Sequence, residues 1–268
     1  MSALAGVGVA VTRPGDGPGR LGELLALAGA TVIHWPCIRF EEPMDDAPIR
    51  RAVKRRESYD WLVLTSPRAA RAWLALLERT RGTGQRIPER ESGPRTAVVG
   101  PATARVLREA GRRVDRVADV RSATGLVAAF RAEGDAAGAR VLCPCSDMAS
   151  DELAEGLREL GARVDRVVAY RTVASPPDAV EVARAATAGT VRVVTFTSPS
   201  TVEGFFAALD AAAAAWLTGR LAAAAIGSTT RDALAAAGWA AETAPEPSLE
   251  GLVEAAARAA ARPSRVSP

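Results

Sequence analysis

The sequence predicts an α/β fold of two similar lobes, each a parallel sheet flanked by helices. Two observations predict it. Buried-strand patterns alternate with helical ones along the chain of 268 residues, and the pattern is then written a second time. Gly29 and Gly161, Leu21 and Leu153, and Ser66 and Ser198 are each 132 positions apart, while Gly100 and Gly227, and Gly111 and Gly238, are 127 apart. One register with a single slip covers both copies. A period of roughly 20 to 50 residues would mark a solenoid; one this long marks two copies of a domain-sized unit.

Taken in order, the apolar run 7–12 reads as a buried strand, followed by a Gly-rich turn and a helix over 21–28 that Gly29 stops. Residues 31–40 read as the next strand and close a β-α-β unit. A strand over 61–64 meets the turn Thr65-Ser66-Pro67 and a helix through Leu77. A strand over 96–99 meets Gly100-Pro101-Ala102-Thr103 and a helix ending at Gly111. In the second copy a strand over 140–143 precedes a helix over 152–160, and strands follow over 163–172 and 191–195, the latter before Thr197-Ser198-Pro199. The copy closes with a strand over 222–226, Gly227-Ser228-Thr229-Thr230, a helix to Gly238 and Pro247-Ser248-Leu249-Glu250-Gly251.

Composition excludes several classes. A formal charge of +3 is mild, and its Lys and Arg lie among acidic residues rather than in the dense basic stripe of a nucleic-acid binder. The tail 259–268 is too short for a helix-turn-helix. Apolar runs are strand-length or broken by charge, short of the roughly 20 residues that span a bilayer, and the amino terminus lacks a signal-peptide pattern. With three cysteines and no disulfide framework, cytoplasmic residence is expected.

Parallel sheets gather strand ends and helix starts on their carboxyl edges, where ligands bind. Thr65, Ser66, Thr103, Thr197, Ser198, Gly227, Ser228, Thr229 and Thr230 all belong there. Ser and Thr can cap each helix, and free N–H groups with the positive helix end attract an anion. Any one of these junctions is equally what an ordinary N-cap looks like; four matched ones favour binding of a small polyanion. His34, the one histidine, lies in the apolar stretch Val32-Ile33-His34-Trp35, which argues for a structural role and against a metal site or a Ser-His-Asp triad. Cys143 and Cys145 form C-x-C without a partner pair, too sparse for zinc, and read as packing residues. Gly15-Asp16-Gly17-Pro18-Gly19 is not G-x-G-x-x-G, and no P-loop occurs. The copies differ at one informative place: Tyr170 stands where Ile38 stands 132 positions earlier. A phenol can give a proton to a leaving oxygen; a tyrosine can equally fill a half-buried strand position.

Seven segments in order resemble the uroporphyrinogen-III synthase family. They are Val11-Thr12-Arg13-Pro14; Trp61-Leu62-Val63-Leu64-Thr65-Ser66-Pro67-Arg68; Val99-Gly100-Pro101-Ala102-Thr103; Val168-Ala169-Tyr170-Arg171-Thr172; Phe196-Thr197-Ser198-Pro199; Ile226-Gly227-Ser228-Thr229-Thr230; and Pro247-Ser248-Leu249-Glu250-Gly251. The resemblance implies a swapped layout, with 1–38 plus 173–268 as one lobe, 39–172 as the other, and strands near 38–40 and 170–172 as a two-stranded hinge beside a flexible cleft. It implies cyclisation of hydroxymethylbilane to uroporphyrinogen III with loss of water and inversion of the terminal ring, without cofactor or metal. It implies a monomer, a transient contact with the upstream hydroxymethylbilane synthase, and Tyr170 as the group that helps the hydroxyl leave. Arg13 and Arg68 are candidates for carboxylate pairing, although surface arginines are commonly only solvated. The family's Arg-Gly after the first strand of the second copy is replaced by Pro144-Cys145-Ser146-Asp147. That missing cation leaves room for an alternative, a non-catalytic two-lobed tetrapyrrole or polyanion sensor.

Overall fold

The structure is a computed structural model and describes residues 3–80, 93–120 and 122–262. In chain order the strands are β1 (Gly8–Val11), β2 (Thr31–His34), β3 (Ile38–Glu41), β4 (Trp61–Leu64), β5 (Arg95–Val98), β6 (Arg116–Val117), β7 (Arg140–Ser146), β8 (Arg163–Ala174), β9 (Val193–Phe196), β10 (Ala222–Ala225) and β11 (Ala241–Thr243). The helices are α1 (Gly19–Leu27), α2 (Ala47–Lys54), α3 (Pro67–Arg79), α4 (Pro101–Glu109), α5 (Ala123–Glu133) and α6 (Glu152–Glu159), followed by α7 (Ala179–Thr187), α8 (Pro199–Phe206), α9 (Ala211–Arg220), α10 (Ser228–Ala236) and α11 (Leu249–Ala261).

The chain divides into two compact units, one of Met1–Phe40 with Thr172–Pro268 and one of Glu41–Arg171. The two crossings fall inside β3 and β8. In the first unit the sheet order is β11-β10-β9-β1-β2, with every pair parallel. Its three central strands, β1, β9 and β10, are buried on both faces, so successive residues serve two cores. Ala10, Val194, Ala223 and Ala225 pack with Phe205, Leu217 and Leu234 of α8, α9 and α10. Val9, Val11, Val193 and Ala224 pack with Leu21 and Leu25 of α1 and Leu252, Ala255 and Ala256 of α11. This double burial explains why the strands read as unbroken apolar runs rather than alternating ones.

The second sheet runs β3-β8-β7-β4-β5-β6, with β7/β8, β4/β7, β4/β5 and β5/β6 parallel. Trp61 and Val63 of β4 pack against Leu126 and Phe130 of α5 and Leu153 and Leu157 of α6. Matching strands by the repeat register equates β1 with β7, β2 with β8, β9 with β4 and β10 with β5, and the two sheets then have one spatial order. By chain order the first unit reads 2-1-3-4-5. The second, entered at a different strand and with β3 set aside, reads 5-4-1-2-3, a circular permutation of the same arrangement. Each unit therefore takes its first two strands from one copy and its remaining three from the other. In both orders the chain reverses direction across the sheet at one point, β1/β9 in the first unit and β7/β4 in the second, and ligands bind in the crevice outside the carboxyl ends there.

Two of the expected strands depart from the sequence reading. The single strand expected over 31–40 is two strands, because Pro36 has no N–H to give a ladder. Trp35 and Cys37 still donate to the carbonyls of Val11 and Thr12 (3.0 and 3.1 Å) before the chain leaves for β3. The strand expected to stop at Cys143 continues to Ser146, through Pro144.

Candidate functional site at the carboxyl edges

In the second unit β4 ends at Leu64 and Ser66 takes an extended conformation, from which its Oγ accepts the Ala69 N–H at 3.1 Å and caps α3. Pro67 at the first helical position has the φ that the helix needs and lacks an N–H that would go unused. Next to β4, β7 ends at Ser146, opposite Tyr170 of β8, and the register slips between Cys145 and Ser146. Such a bulge re-aims side chains beside it. Tyr170 is 8 % exposed, and its hydroxyl lies 3.5 Å from Ser66 Oγ. The Arg68 guanidinium stands 5.7 Å from the centre of the Tyr170 ring. Burial lowers the Arg68 pKa from its ordinary value, and attraction to Tyr170 offsets part of that. A tyrosine, a serine hydroxyl and a partly desolvated cation thus meet where the fold places ligands.

The same edge carries residues that sequence reasoning did not single out. The Ser146 hydroxyl donates to Asp147 Oδ1 at 2.9 Å, and the Asp147 N–H donates to the Tyr170 carbonyl at 3.2 Å. Arg171 lies 3.5 Å from Glu41 Oε2 and 3.9 Å from Asp147 Oδ2. The repeat held a signal for Arg171: its counterpart 132 positions earlier, Arg39, is also arginine.

In the first unit the switch point is stitched by reciprocal bonds: Thr12 Oγ1 donates to the Thr195 carbonyl at 2.8 Å and Thr195 Oγ1 to the Ala10 carbonyl at 2.9 Å. The Arg13 carbonyl bonds His34 Nε2 at 2.9 Å, so His34 fastens the segment that follows β1, in keeping with a structural role. Ser198 caps α8 through a capping box with Thr201, and its hydroxyl pairs with that of Ser200 at 2.9 Å. Thr65 is exposed and Thr197 half-buried, each one residue before its cap.

The other two junctions differ from the expectation that their hydroxyls cap. The caps of α4 and α10 are Gly100 and Gly227, with no side-chain bond, and Thr103 and Thr230 sit at the third helical position, 2 % and 1 % exposed. At that position a side chain points back onto the core face, which is why both are buried. Ser228 and Thr229 are exposed in the first turn of α10. The three cysteines are buried, and desolvation pushes the Cys37 and Cys143 thiols up to about 12, so neither is a nucleophile. Among the described residues no group of His, Cys, Asp and Glu could hold a metal, and no helix is long and apolar enough to cross a membrane.

A cavity of about 280 Å³ opens at the amino edge of the first sheet, lined by Arg192, Arg220, Trp239, Glu242 and Arg262 among others. It is at the edge away from the switch point, and its charges are engaged: Arg192 with the Ala260 carbonyl, Arg262 with Glu242, Arg220 on the Trp216 ring.

Fold and site together define a class: a two-unit α/β protein whose two sheets hold polar groups at the carboxyl edges of their switch points. The profile of the family described as Uroporphyrinogen-III synthase HemD matches residues 19–254. A Methanothermobacter thermautotrophicus protein provisionally named a uroporphyrinogen-III synthase is 31% identical over 201 residues, 74% of this chain and 76% of its own. The "Porphyrin biosynthesis protein HemD" of Ruminiclostridium josui is 27% identical over 206 residues; the match covers 77% of this chain and 40% of that protein's length. Crystal structures of uroporphyrinogen III synthase from Thermus thermophilus (a mutant; TM-score 0.61, 22% identity, 94% and 98% of the chains) and Helicobacter pylori (0.58, 16%, 92% and 97%) share the fold. The chain belongs to the uroporphyrinogen-III synthase family, cyclising lyases of tetrapyrrole biosynthesis.

Proposed function

We propose that the protein closes hydroxymethylbilane to uroporphyrinogen III with loss of water and inversion of the terminal ring. The family match over 19–254 carries this reading. The linear substrate closes without help, so selectivity requires holding a folded conformer in which the ring carbon bearing a side chain meets the electrophilic methylene; orientation is most of the work. Backbone N–H groups at the Ser66 start of α3 suit substrate carboxylates, with Arg68 as a cation within the same turn. The matching turn at Ser198 in the first unit, with Arg13, Thr197 and the first turn of α10, is proposed as a second carboxylate-holding site, as is the first turn of α4.

Tyr170 then acts as the general acid: its proton joins the departing hydroxyl, water leaves, and the cationic azafulvene is attacked to give the spiro intermediate. No metal or cofactor is invoked. Free buried thiols suit a reducing cytoplasm, and a substrate that closes spontaneously favours transient contact with the enzyme that releases it. We infer a monomer, since each unit completes its own sheet.

The test couples the purified protein to a source of fresh hydroxymethylbilane and separates type I from type III porphyrins after oxidation. Predominantly type III product is expected. Type I alone, as in the protein-free control, refutes the proposal and leaves the sensor reading.

A further inference from the structure

Resting on the reaction given above, we propose that Met148 is a specificity-determining contact for the substrate. Its thioether lies against the face of a pyrrole ring while the helix starts take the carboxylates.

Met148 is 58% exposed, one of five large hydrophobics left so open among the described residues. A single exposed apolar side chain is ordinary; what distinguishes this one is its place. Leu27 and Val180 lie on helices α1 and α7, and Met44 and Val120 follow the outermost strands of their sheet, β3 and β6. Met148 alone of the five follows a strand of a switch point, β7, at the edge where the fold puts ligands. β7 ends at Ser146, and the Ala149 N–H returns to the Ser146 carbonyl at 3.2 Å, closing a tight turn with Met148 as its third residue.

The turn is fastened from both sides. The Met148 N–H is shared between Ser146 Oγ at 3.2 Å and Asp147 Oδ1 at 3.0 Å. From β8, Arg166 donates to the Ala149 carbonyl and pairs with Asp151 at 3.3 Å. A turn held in this way presents its side chain at a constant place, so the exposure of Met148 is a feature of an ordered edge.

The repeat supplies a contrast. Asp16 stands 132 positions earlier, exposed in the segment after β1 of the first unit. An acid at this position repels a polyanion. A thioether does not, and it packs favourably on aromatic rings with its sulfur about 5 Å away. Hydroxymethylbilane joins a rim of carboxylates to apolar ring faces. The start of α3 and Arg68 suit the rim, and Met148 offers the adaptable apolar surface that a ring face needs.

The experiment measures kcat, KM and the type III fraction for wild type, Met148→Ala, Met148→Leu and Met148→Asp. At an exposed turn position all three variants should melt within about 2 °C of wild type. The ring face is met before and during the reaction alike, so KM should rise about fivefold in Met148→Ala and about twentyfold in Met148→Asp, with kcat within about twofold. Met148→Leu conserves volume and should stay within about twofold of wild type in both constants. Oxidation gives an independent readout, because peroxide converts the thioether into a polar sulfoxide. Wild type treated with hydrogen peroxide, desalted, and shown by mass spectrometry to carry the Met148 sulfoxide should have its KM raised about fivefold, and treated Met148→Leu should not. Met44, 87% exposed, is oxidised in both and cancels. A KM within about 1.5-fold of wild type for Met148→Ala and for the sulfoxide, or a loss confined to kcat, overturns the proposal. Failure of the underlying reading is distinguishable: wild type itself then yields type I product alone, and the proposal falls with it.

Discussion

Arg116→Met should destabilise the second unit by about 2 to 4 kcal/mol without altering the site. Arg116 opens β6, its side chain 5% exposed, with Nη2 2.6 Å from Asp135 Oδ2 and bonded also to Glu133. Its guanidinium stands 4.7 Å from the Trp61 ring and 4.5 Å from Phe130, rings that themselves meet edge to face. Breaking a buried ion pair from one side commonly costs about 3 to 5 kcal/mol because a bare charge is left behind. Here that loss is reduced, since Glu133 is 57% exposed and Asp135 keeps Arg95 at 3.2 Å. The desolvated cation over aromatic faces adds about 2 kcal/mol, whereas Arg116 Nη1, without a hydrogen-bond partner among the described residues, counts against the native arrangement. Methionine keeps the apolar stem and removes only the charge. Urea unfolding followed by hydrogen exchange in β4, β5 and α5 isolates the second unit from the first. A change below about 0.5 kcal/mol would mean that desolvation cancels the pairing, and would refute the reasoning.

Three further outcomes are expected. Tyr170→Phe should lower kcat by about 10²- to 10⁴-fold while stability shifts by less than about 1 kcal/mol, because Ser66 Oγ keeps its Ala69 N–H; steady-state assays and urea titration decide. Ser198→Ala removes the side-chain acceptor of the α8 capping box and should cost about 1 kcal/mol, read as a lower melting temperature of the first unit. Stability should be flat to about pH 9 and fall toward pH 12, because folding holds acidic protons more tightly: Cys145 is raised by burial, and three groups are pushed far, Cys37 and Cys143 up from 9.0 and Tyr59 from 10.0, each to about 12. Burial is the first cause in all three, and Tyr59 also donates to Asp165 at 2.6 Å. The slope should approach roughly 1.4 kcal/mol per pH unit per group, and a urea midpoint unchanged between pH 9 and 11 would contradict it.

The elements legible in the sequence were those whose local signals agree with their tertiary role. The strand over 61–64 is β4 to the residue, because four consecutive apolar residues buried on both faces sit directly before Ser66-Pro67, a cap and a first helical residue. Gly29, Gly111, Gly161 and Gly238, read as helix stops, all have positive φ. Five helices were not anticipated, α2, α5, α7, α9 and α11. For α5 the signals existed, since Ser122 caps it and Gly134 ends it in the left-handed conformation; for α9, Asp210 caps a run of five alanines that looks like compositional bias. The candidate site was half legible. Ser66, Ser198 and Tyr170 stand out by residue type and register, but whether a Thr caps or turns inward depends on which residue is the cap. Gly100 and Gly227 take that place through extended backbone that any residue can adopt, so Thr103 and Thr230 looked like their serine counterparts. Asp147 comes to Tyr170 only through the β7/β8 register and its slip, a tertiary fact without a local trace.

The permuted sheet orders explain why the duplicated halves of the sequence are not the folding units. A cut between the copies would leave β1 and β2 without β9 and β10, and β7 and β8 without β4 and β5, so each half would expose strand faces that its own helices do not cover. Exchange of the first two strands completes both sheets with the same spatial order, and it leaves two equivalent switch points. At one register position the two similar frames differ in chemistry, Tyr170 against Ile38. The serine caps differ as well: the Ser198 cap closes on Ser200 and Thr201 within its own helix start, whereas the Ser66 cap reaches across to another strand.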